Sequence, residues 1–416
     1  MASIPYDLGG RSVRFTSNAL SSGGVFFRAL RRNRAGLIGF IGLMIYAVWI
    51  LIAPRLIPFD DNVRLDQIAS PPGSRLMLVT RADDAARYTT LDDLQGRTVG
   101  VLGNTSGEAM VEPYEEQGAF TVETERFSNG RGIPDLLEML AEGEVDAIIL
   151  FSDSVKEYLT SNTDAGQNEQ FANLTVANAA LGPPYLLGTD TQGRDIFSHI
   201  IHGGTTLIAT ALAAGLMSTL IAVMLGSLAA LLGGVVDNAL TAFANLVLTI
   251  PSFPLLVVLA SLIRLDNPLL LALLIAALSW PVLMRAVRSQ VLSLRERDYV
   301  EAAFALDLGL RHIVLREILP NMMSFVAINF IFAVTKAMYD QVGLIFLGMV
   351  PINDYTWGVM LYFGRSRGTL FSPDSASMVL SPVLAIAMFQ VSLVLFARSL
   401  EEMFDPRLRT AKSPGT

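Results

Sequence analysis

The sequence predicts a mainly α membrane protein with six membrane-spanning helices and an inserted extracytoplasmic α/β domain. Three observations predict it. Hydrophobic residues make up 52% of the 416 residues and charged residues 16%, with a mean hydropathy of +0.48, which is too apolar for a soluble chain of this length. Six apolar segments reach the roughly 20 residues needed to cross a hydrocarbon core of about 30 Å. Between the first two of them lies a stretch, residues 58–204, far longer than an ordinary connection and with periodicities of its own.

The six segments run over 35–57, 205–234, 239–263, 268–287, 322–349 and 376–399. The first follows Arg28, Arg31, Arg32 and Arg34. Its long apolar core and the lack of a small-residue cleavage site make it a retained anchor rather than a signal peptide. With six alternating spans, Arg28–Arg34, then Arg285, Arg288, Arg295, Arg297, Arg311 and Arg316, then Arg398, Arg407, Arg409 and Lys412 fall on one side. The positive-inside rule makes that side the cytoplasm. Residues 1–34 and 401–416 are then cytoplasmic, 58–187 form the outer insertion, and 188–400 hold the remaining spans. Pro251 and Pro254 are placed to bend the third span.

Within the insertion, RLMLVTR (75–81), RTVGVLG (97–103) and VDAIILF (145–151) read as strands. GEAMVEPYEEQG (107–118) and IPDLLEMLAEGE (133–144) read as helices. The alternation implies an α/β unit with a mainly parallel sheet.

Composition also excludes classes. A net charge of −8 argues against nucleic-acid binding. No cysteine is present, which removes disulfides, thiolate metal sites and cysteine nucleophiles. The three lysines, Lys156, Lys336 and Lys412, follow Val155, Thr335 and Ala411, so the Gly-Lys pair of a phosphate-cradling P-loop occurs nowhere. No nucleophile, base and orienting acid stand in a recognisable arrangement, and the chain is not read as an enzyme.

A few polar groups invite a function. Lys336 and Asp340 lie four apart on the fifth span, so they share a face. Ionisable groups at membrane depth face a cavity or a bundle interior, and with Gln341 they either line a translocation path or fix helix packing. His199 and His202, with Asp190 and Asp195 nearby, offer no third ligand of defined spacing; an interfacial helix is the reading preferred over a metal site. Small residues along the second span, Ala209, Ala213, Gly215, Ser218, Ala222 and Gly226, mark close helix packing. Gly103, Asn104, Thr105 and Ser106 sit where a strand meets a helix and either hold an anion on backbone N–H groups or cap the helix.

Residues 296–321, ERDYVEAAFALDLGLRHIVLREILPN, form a charged amphipathic stretch between two spans. Together with GTDTQGRD (188–195), LIFLGMV (344–350), Trp357–Gly358 and FDPRLR (404–409), this stretch resembles the ordered landmarks of dipeptide and oligopeptide ABC-importer permeases, the type I class. In that class residues 301–321 correspond to the EAA coupling loop. The resemblance assigns ATPase coupling to Glu301, Ala302, Ala303, Asp307, Gly309, Glu317 and Pro320. Glu301–Ala303 begin a rigid helix, and Leu306, Leu308, Ile313, Val314 and Leu315 give it an apolar face for a groove. The alternative is a juxtamembrane helix lying on lipid headgroups. The usual loop glycine falls at Asp307 and the usual histidine at Glu317, and the family's GDxLRD appears as Ala397, Arg398, Leu400, Glu401 and Glu402. Such charge swaps imply a dedicated partner.

TLDDLQGRTVGVLGNTSGE and LLEMLAEGEVDAIIL resemble one lobe of amino-acid-type solute-binding proteins, over about residues 75–160. The resemblances imply a bacterial inner-membrane importer subunit for peptides or peptide-like solutes, with both termini cytoplasmic. They also imply a second permease subunit, two ATPase subunits or domains holding ATP and Mg, a periplasmic solute-binding protein, contact with membrane lipid and no nucleic acid. No cofactor is expected in this chain. An ion-coupled secondary transporter and a membrane receptor with an extracytoplasmic sensing domain remain as alternatives.

Overall fold

The computed structural model describes residues 30, 33–57, 59, 70–125, 132–160, 171–351, 355–368 and 376–404. Arg28, Arg31, Arg32 and the closing FDPRLR beyond Phe404 lie outside the described residues. The protein is a helical bundle with a small α/β unit between its first two long helices, in agreement with the predicted class.

Helix α1, Arg34–Leu56, starts where the Asn33 side chain accepts from the Gly36 N–H at 3.1 Å. It lies against the last helix, α11, Ala376–Phe404. Gly36, Gly39 and Gly42 make this approach possible. A Cβ on Gly39 would stand 2.6 Å from the Phe396 nitrogen, and one on Gly42 2.2 Å from Ser392 Oγ. The two helix ends are joined by Asn33 Nδ2 donating to Glu402 Oε2 at 2.8 Å.

Helix α4, Ile196–Leu232, begins well before the predicted span and has 37 residues, about 55 Å at 1.5 Å per residue. The earlier start follows from Asp195, whose carboxylate accepts from the Phe197 and Ser198 N–H groups and caps the helix there. Of the small residues on this helix, Gly215, Ser218, Ala222 and Gly226 are buried, whereas Ala209 is exposed. A Cβ on Gly226 would meet the Met284 carbonyl at 2.7 Å.

The expected third span is two helices, α5, Gly234–Thr249, and α6, Ser252–Leu262, meeting at 82°. Pro251 at the break lacks an N–H to continue the ladder, and residues before proline leave the helical region; Ile250 is extended. Among the described residues, five helices are therefore long and apolar enough to cross a membrane, or six if the bent pair counts as one span. Helix α7, Pro268–Arg295, α8, Asp298–Ala305, and α9, Leu310–Phe346, follow. What the sequence presents as the loop before the last span contains a further helix, α10, Trp357–Ser366. It is held inside the bundle because Trp357 is buried and its indole N–H donates to the Ile200 carbonyl at 2.8 Å. Gly204 provides the room, since a Cβ there would sit 2.5 Å from the indole.

The α/β unit contains strands β1, Leu76–Arg81, β2, Thr98–Leu102, β3, Thr121–Glu125, β4, Ala147–Phe151, and β5, Leu174–Asn178, in the order β3-β2-β4-β1-β5. Only β2 with β3 and β2 with β4 are parallel; β1 pairs antiparallel with β4 and β5. The expectation of a mainly parallel sheet is thus corrected to a mixed one. The cause lies between β1 and β2, where the chain forms two short 3-10 turns, Ala82–Asp84 and Leu91–Leu94, instead of the crossover helix that parallel strands need. Helix α2, Ser106–Glu116, and helix α3, Gly132–Glu142, contribute to different apolar clusters: α2 packs through Val111 with Val99, Val101 and Ile149, α3 through Leu136, Leu137 and Leu140 with Val79, Ile148 and Leu150. The all-buried β4, AIILF, supplies both sets.

The unit is rooted on the segment leading into α4. Ser70 and Thr189 exchange two hydrogen bonds at 2.9 and 3.0 Å, and Gly73 and Ser74 bond Tyr185 through backbone groups. Gly188 makes the close approach, with φ +76° and no room for a Cβ beside the Ser70 carbonyl.

Candidate functional site

The stretch between α7 and α9 is a helix-turn-helix rather than one helix beginning at Glu301. Helix α8 starts at Asp298 and closes at Ala305. The chain turns through Leu306–Gly309, and α9 opens with Leu310–His312 and a wider π turn over Ile313–Ile318. The reversal happens at Asp307, whose φ of +54° is in the left-handed region. The residue standing where the related loops have glycine thus adopts the conformation that favours glycine. Gly309, with φ −55°, needs no such freedom.

The turn divides the predicted apolar face. Ile313 is fully buried, and Leu308 and Val314 pack against the cluster that holds Val300, Ala303, Ile318 and the α7 residues Met284, Val287 and Val291. Leu306 and Leu315 remain outside, 72% and 50% exposed, joined by Tyr299, Phe304 and Leu310. The sequence reading of this stretch did not include these last three. Glu301 and Ala302 are exposed beside them, Ala303 faces the bundle, and Pro320 is exposed in the first turn after the π segment. Glu317 is half-buried with His312 Nε2 3.7 Å from its carboxylate. The end of α7 that leads into the loop is tied to its neighbours: Arg295 donates to the Ala230 carbonyl of α4 at 3.1 Å, and Arg288 grips the Asp237 carboxylate of α5 with two bonds of 2.5 Å.

On α9 the Lys336 ammonium donates to Asp340 at 2.5 Å, with the lysine side chain 43% exposed. Gln341 does not join them. It turns into the bundle, buried, and its Oε1 has no hydrogen-bond partner among the described residues. It lines a cavity of about 60 Å³ with Thr206, Asp266 and Thr356.

At the opposite end, the GTDTQGRD stretch closes on itself. Buried Asp190 accepts from the Gln192 and Arg194 N–H groups at 2.7 and 2.9 Å and from Arg194 Nε at 3.1 Å. Arg194 also bonds the Gln192 side chain. From a distant stretch of sequence, Tyr355 donates its hydroxyl to Asp190 at 2.5 Å, and the Arg194 guanidinium lies 4.0 Å over its ring. Burial, reinforced by the Asp190 charge, pushes the Tyr355 hydroxyl well above the ordinary tyrosine value. His199 and His202 lie in the opening turns of α4, which the Asp195 cap starts ahead of them. His199 Nδ1 contacts the Asp195 carbonyl and His202 Nε2 the Ile57 carbonyl, at 2.7 and 2.9 Å.

In the α/β unit, Asn104 is left-handed at φ +59° and Thr105 caps α2. The Asn104 N–H is taken by the chain's own carboxylate, Glu108, at 2.5 Å, and Thr105 Oγ1 donates to the Leu102 carbonyl. Gly103, Asn104, Thr105 and Ser106 therefore form a capped turn whose outward N–H already carries an anion.

A bundle of apolar helices with a structured polar loop between two of them defines a multi-pass membrane protein. Residues 222–410 match the family model described as binding-protein-dependent transport system inner membrane component. A peptide permease protein of Brucella suis biovar 1 is 33% identical over 236 residues, covering 56% of this chain and 77% of the relative. The oligopeptide transport system permease protein OppC of Mycobacterium bovis is 28% identical over 240 residues, covering 56% and 81%. The chain belongs to this family of inner-membrane permease components of ABC transporters. Among solved structures, holo ArgBP from T. maritima is similar at a TM-score of 0.21 and 25% identity, over 27% of this chain and 42% of that protein, less than half its length.

Proposed function

We propose that this chain is the permease subunit of an importer that moves peptides or peptide-like solutes into the cytoplasm and is driven by separate ATPase subunits docked at residues 296–321. The observation that carries the reading is that Tyr299, Phe304, Leu306, Leu310 and Leu315 are large, apolar and exposed on a helix-turn-helix between two spans. Several large apolar side chains held out at one turn, with anchoring neighbours buried beneath them, make a surface suited to a partner's groove. Lever and span are continuous, since the loop runs directly into α9. A push on Leu310 or Leu315, which stand on α9 itself, is transmitted to Lys336 and Asp340 without an intervening flexible linker.

In this reading the termini and coupling loop are cytoplasmic, and the α/β unit lies outside, where it docks a solute-binding protein or covers the outer mouth. The Lys336–Asp340 pair lines the path between this subunit and a second permease subunit. A partly exposed ion pair at membrane depth is costly against lipid and is better accommodated beside water or protein. ATP and Mg belong to the partner subunits, and no catalytic step is assigned to this chain.

The absence of cysteine makes the test direct. Leu306→Cys introduces a single thiol, which is expected to cross-link to an ATPase subunit in the assembled transporter, with a yield that changes when nucleotide is added. Uptake in proteoliposomes should require the ATPase subunits. Ion-gradient-driven uptake by this chain alone would overturn the proposal in favour of a secondary carrier.

A further inference from the structure

Helix α1 is the least buried of the long apolar helices, yet it does not present a flat face. Met44, Ile45, Val48 and Ala53 on α1, with Phe197 and Ile201 on α4, enclose a groove of about 480 Å³ open to the side. Its floor is fixed. Trp49 donates its indole N–H to the Ile201 carbonyl at 3.2 Å and stacks on Tyr46 with ring centroids 5.6 Å apart. The polar atoms nearest the groove thus satisfy each other and leave nothing for a hydrophilic ligand to bond. A wholly apolar groove that opens sideways from a membrane-spanning helix suits an extended hydrocarbon chain.

One charge marks the end of this groove. Arg55 lies on the same stripe of α1 as Met44 and Val48, two turns beyond Val48 and so about 10 Å further along the axis. It is exposed, and its Nη1 donates to the Leu51 carbonyl at 2.7 Å, which orients the guanidinium. A guanidinium standing above an apolar groove complements a phosphate carried on a hydrocarbon tail. We propose that the groove between α1 and α4 holds one acyl chain of a membrane phospholipid whose headgroup phosphate is bound by Arg55. Such a lipid would seal the side of the bundle beneath the root of the α/β unit.

The test uses the assembled transporter in bilayer nanodiscs of phosphatidylethanolamine and phosphatidylglycerol, extracted into detergent and weighed by native mass spectrometry. The wild type is expected to keep one phospholipid per chain through delipidation that strips the remainder. Ala53→Trp, which fills the groove, should lower that retention at least tenfold. Arg55→Gln, an exposed change that leaves folding intact, should lower it several-fold and abolish preference for phospholipid over diacylglycerol. The proposal fails if the wild type keeps no lipid or if Arg55→Gln retains it as well as the wild type. It also fails if a photo-crosslinker at Ile45 couples to a helix of another subunit instead of to lipid.

Discussion

The two ends of α4 and α9 treat their side chains in opposite ways. At the end beneath the α/β unit, Asp190, Arg194, Tyr355 and Trp357 bond one another or the backbone, and all but Tyr355 are buried. At the other end, Tyr299, Phe304, Leu306, Leu310 and Leu315 are large, apolar and exposed. A closed network fixes one geometry because every alternative leaves a desolvated group unpaired. An open apolar cluster fixes nothing on its own and is completed by a partner. The first end is architecture that roots the inserted unit and α10 on α4; the second is the surface we propose as an interface.

Asp190→Ala probes the closed end most severely. It removes the carboxylate that pairs with the buried Arg194 guanidinium and accepts from Tyr355, so the expected loss is about 3–5 kcal/mol, as for other broken buried pairs. Denaturant unfolding of the detergent-solubilised chain measures it. A loss below about 1 kcal/mol would place the clasp among surface ion pairs and remove the contrast. Gly39→Leu should cost about 1–3 kcal/mol in the same assay, because overpacking must move α1 off Phe396 and Ser392. Unlike the clasp, that contact involves no charge, so its cost should be insensitive to salt.

At the open end the same assay should read almost nothing. Leu306→Asp combined with Leu315→Asp is expected to change chain stability by no more than about 0.5 kcal/mol, as for surface substitutions away from special features. Affinity for the ATPase subunits should nevertheless fall at least tenfold, or about 1.4 kcal/mol. Titration of ATPase stimulation with the permease subunit separates the two effects. A large stability loss without loss of affinity would mean that these leucines belong to the fold after all.

Legibility in sequence followed the same division. Strands β1, β2 and β4 and helices α2 and α3 were readable because their apolar residues alternate or recur at helical spacing. Strands β3, TVETE, and β5, LTVAN, were not. Each lies at an edge of the sheet with one neighbour, so little of either need be apolar. The spans were visible from length and hydropathy, but α10 was hidden because its 10 residues are too few to cross a membrane. In residues 296–321 the residue types were evident and their burial was not, since on either side of the turn at Asp307 Ile313 lies inward and Leu306 outward. Tyr355 as partner to Asp190 leaves no periodic trace. The close packing of α1 on α11 did leave one, in the spacing of Gly36, Gly39 and Gly42.

The smallest expected effect tests why the open end holds its shape at all. Asp307 occupies a left-handed conformation that costs a non-glycine residue about 1 kcal/mol, although aspartate tolerates it better than most. It is exposed, so its side chain contributes little packing to offset that cost. Asp307→Gly should therefore stabilise the folded loop by up to about 1 kcal/mol, less whatever glycine loses through greater freedom in the unfolded chain. Asp307→Val should destabilise it, because a β-branched residue is disfavoured there. Gly309→Ala, at a negative φ with open space around its Cβ position, should be neutral or slightly stabilising. Hydrogen exchange at Leu308 and Leu310 reads these changes locally. If Asp307→Gly instead loosens the loop while raising no affinity for the ATPase subunits, the aspartate carboxylate itself holds the turn. The departure from glycine at this position would then be a structural substitution rather than one matched to a partner.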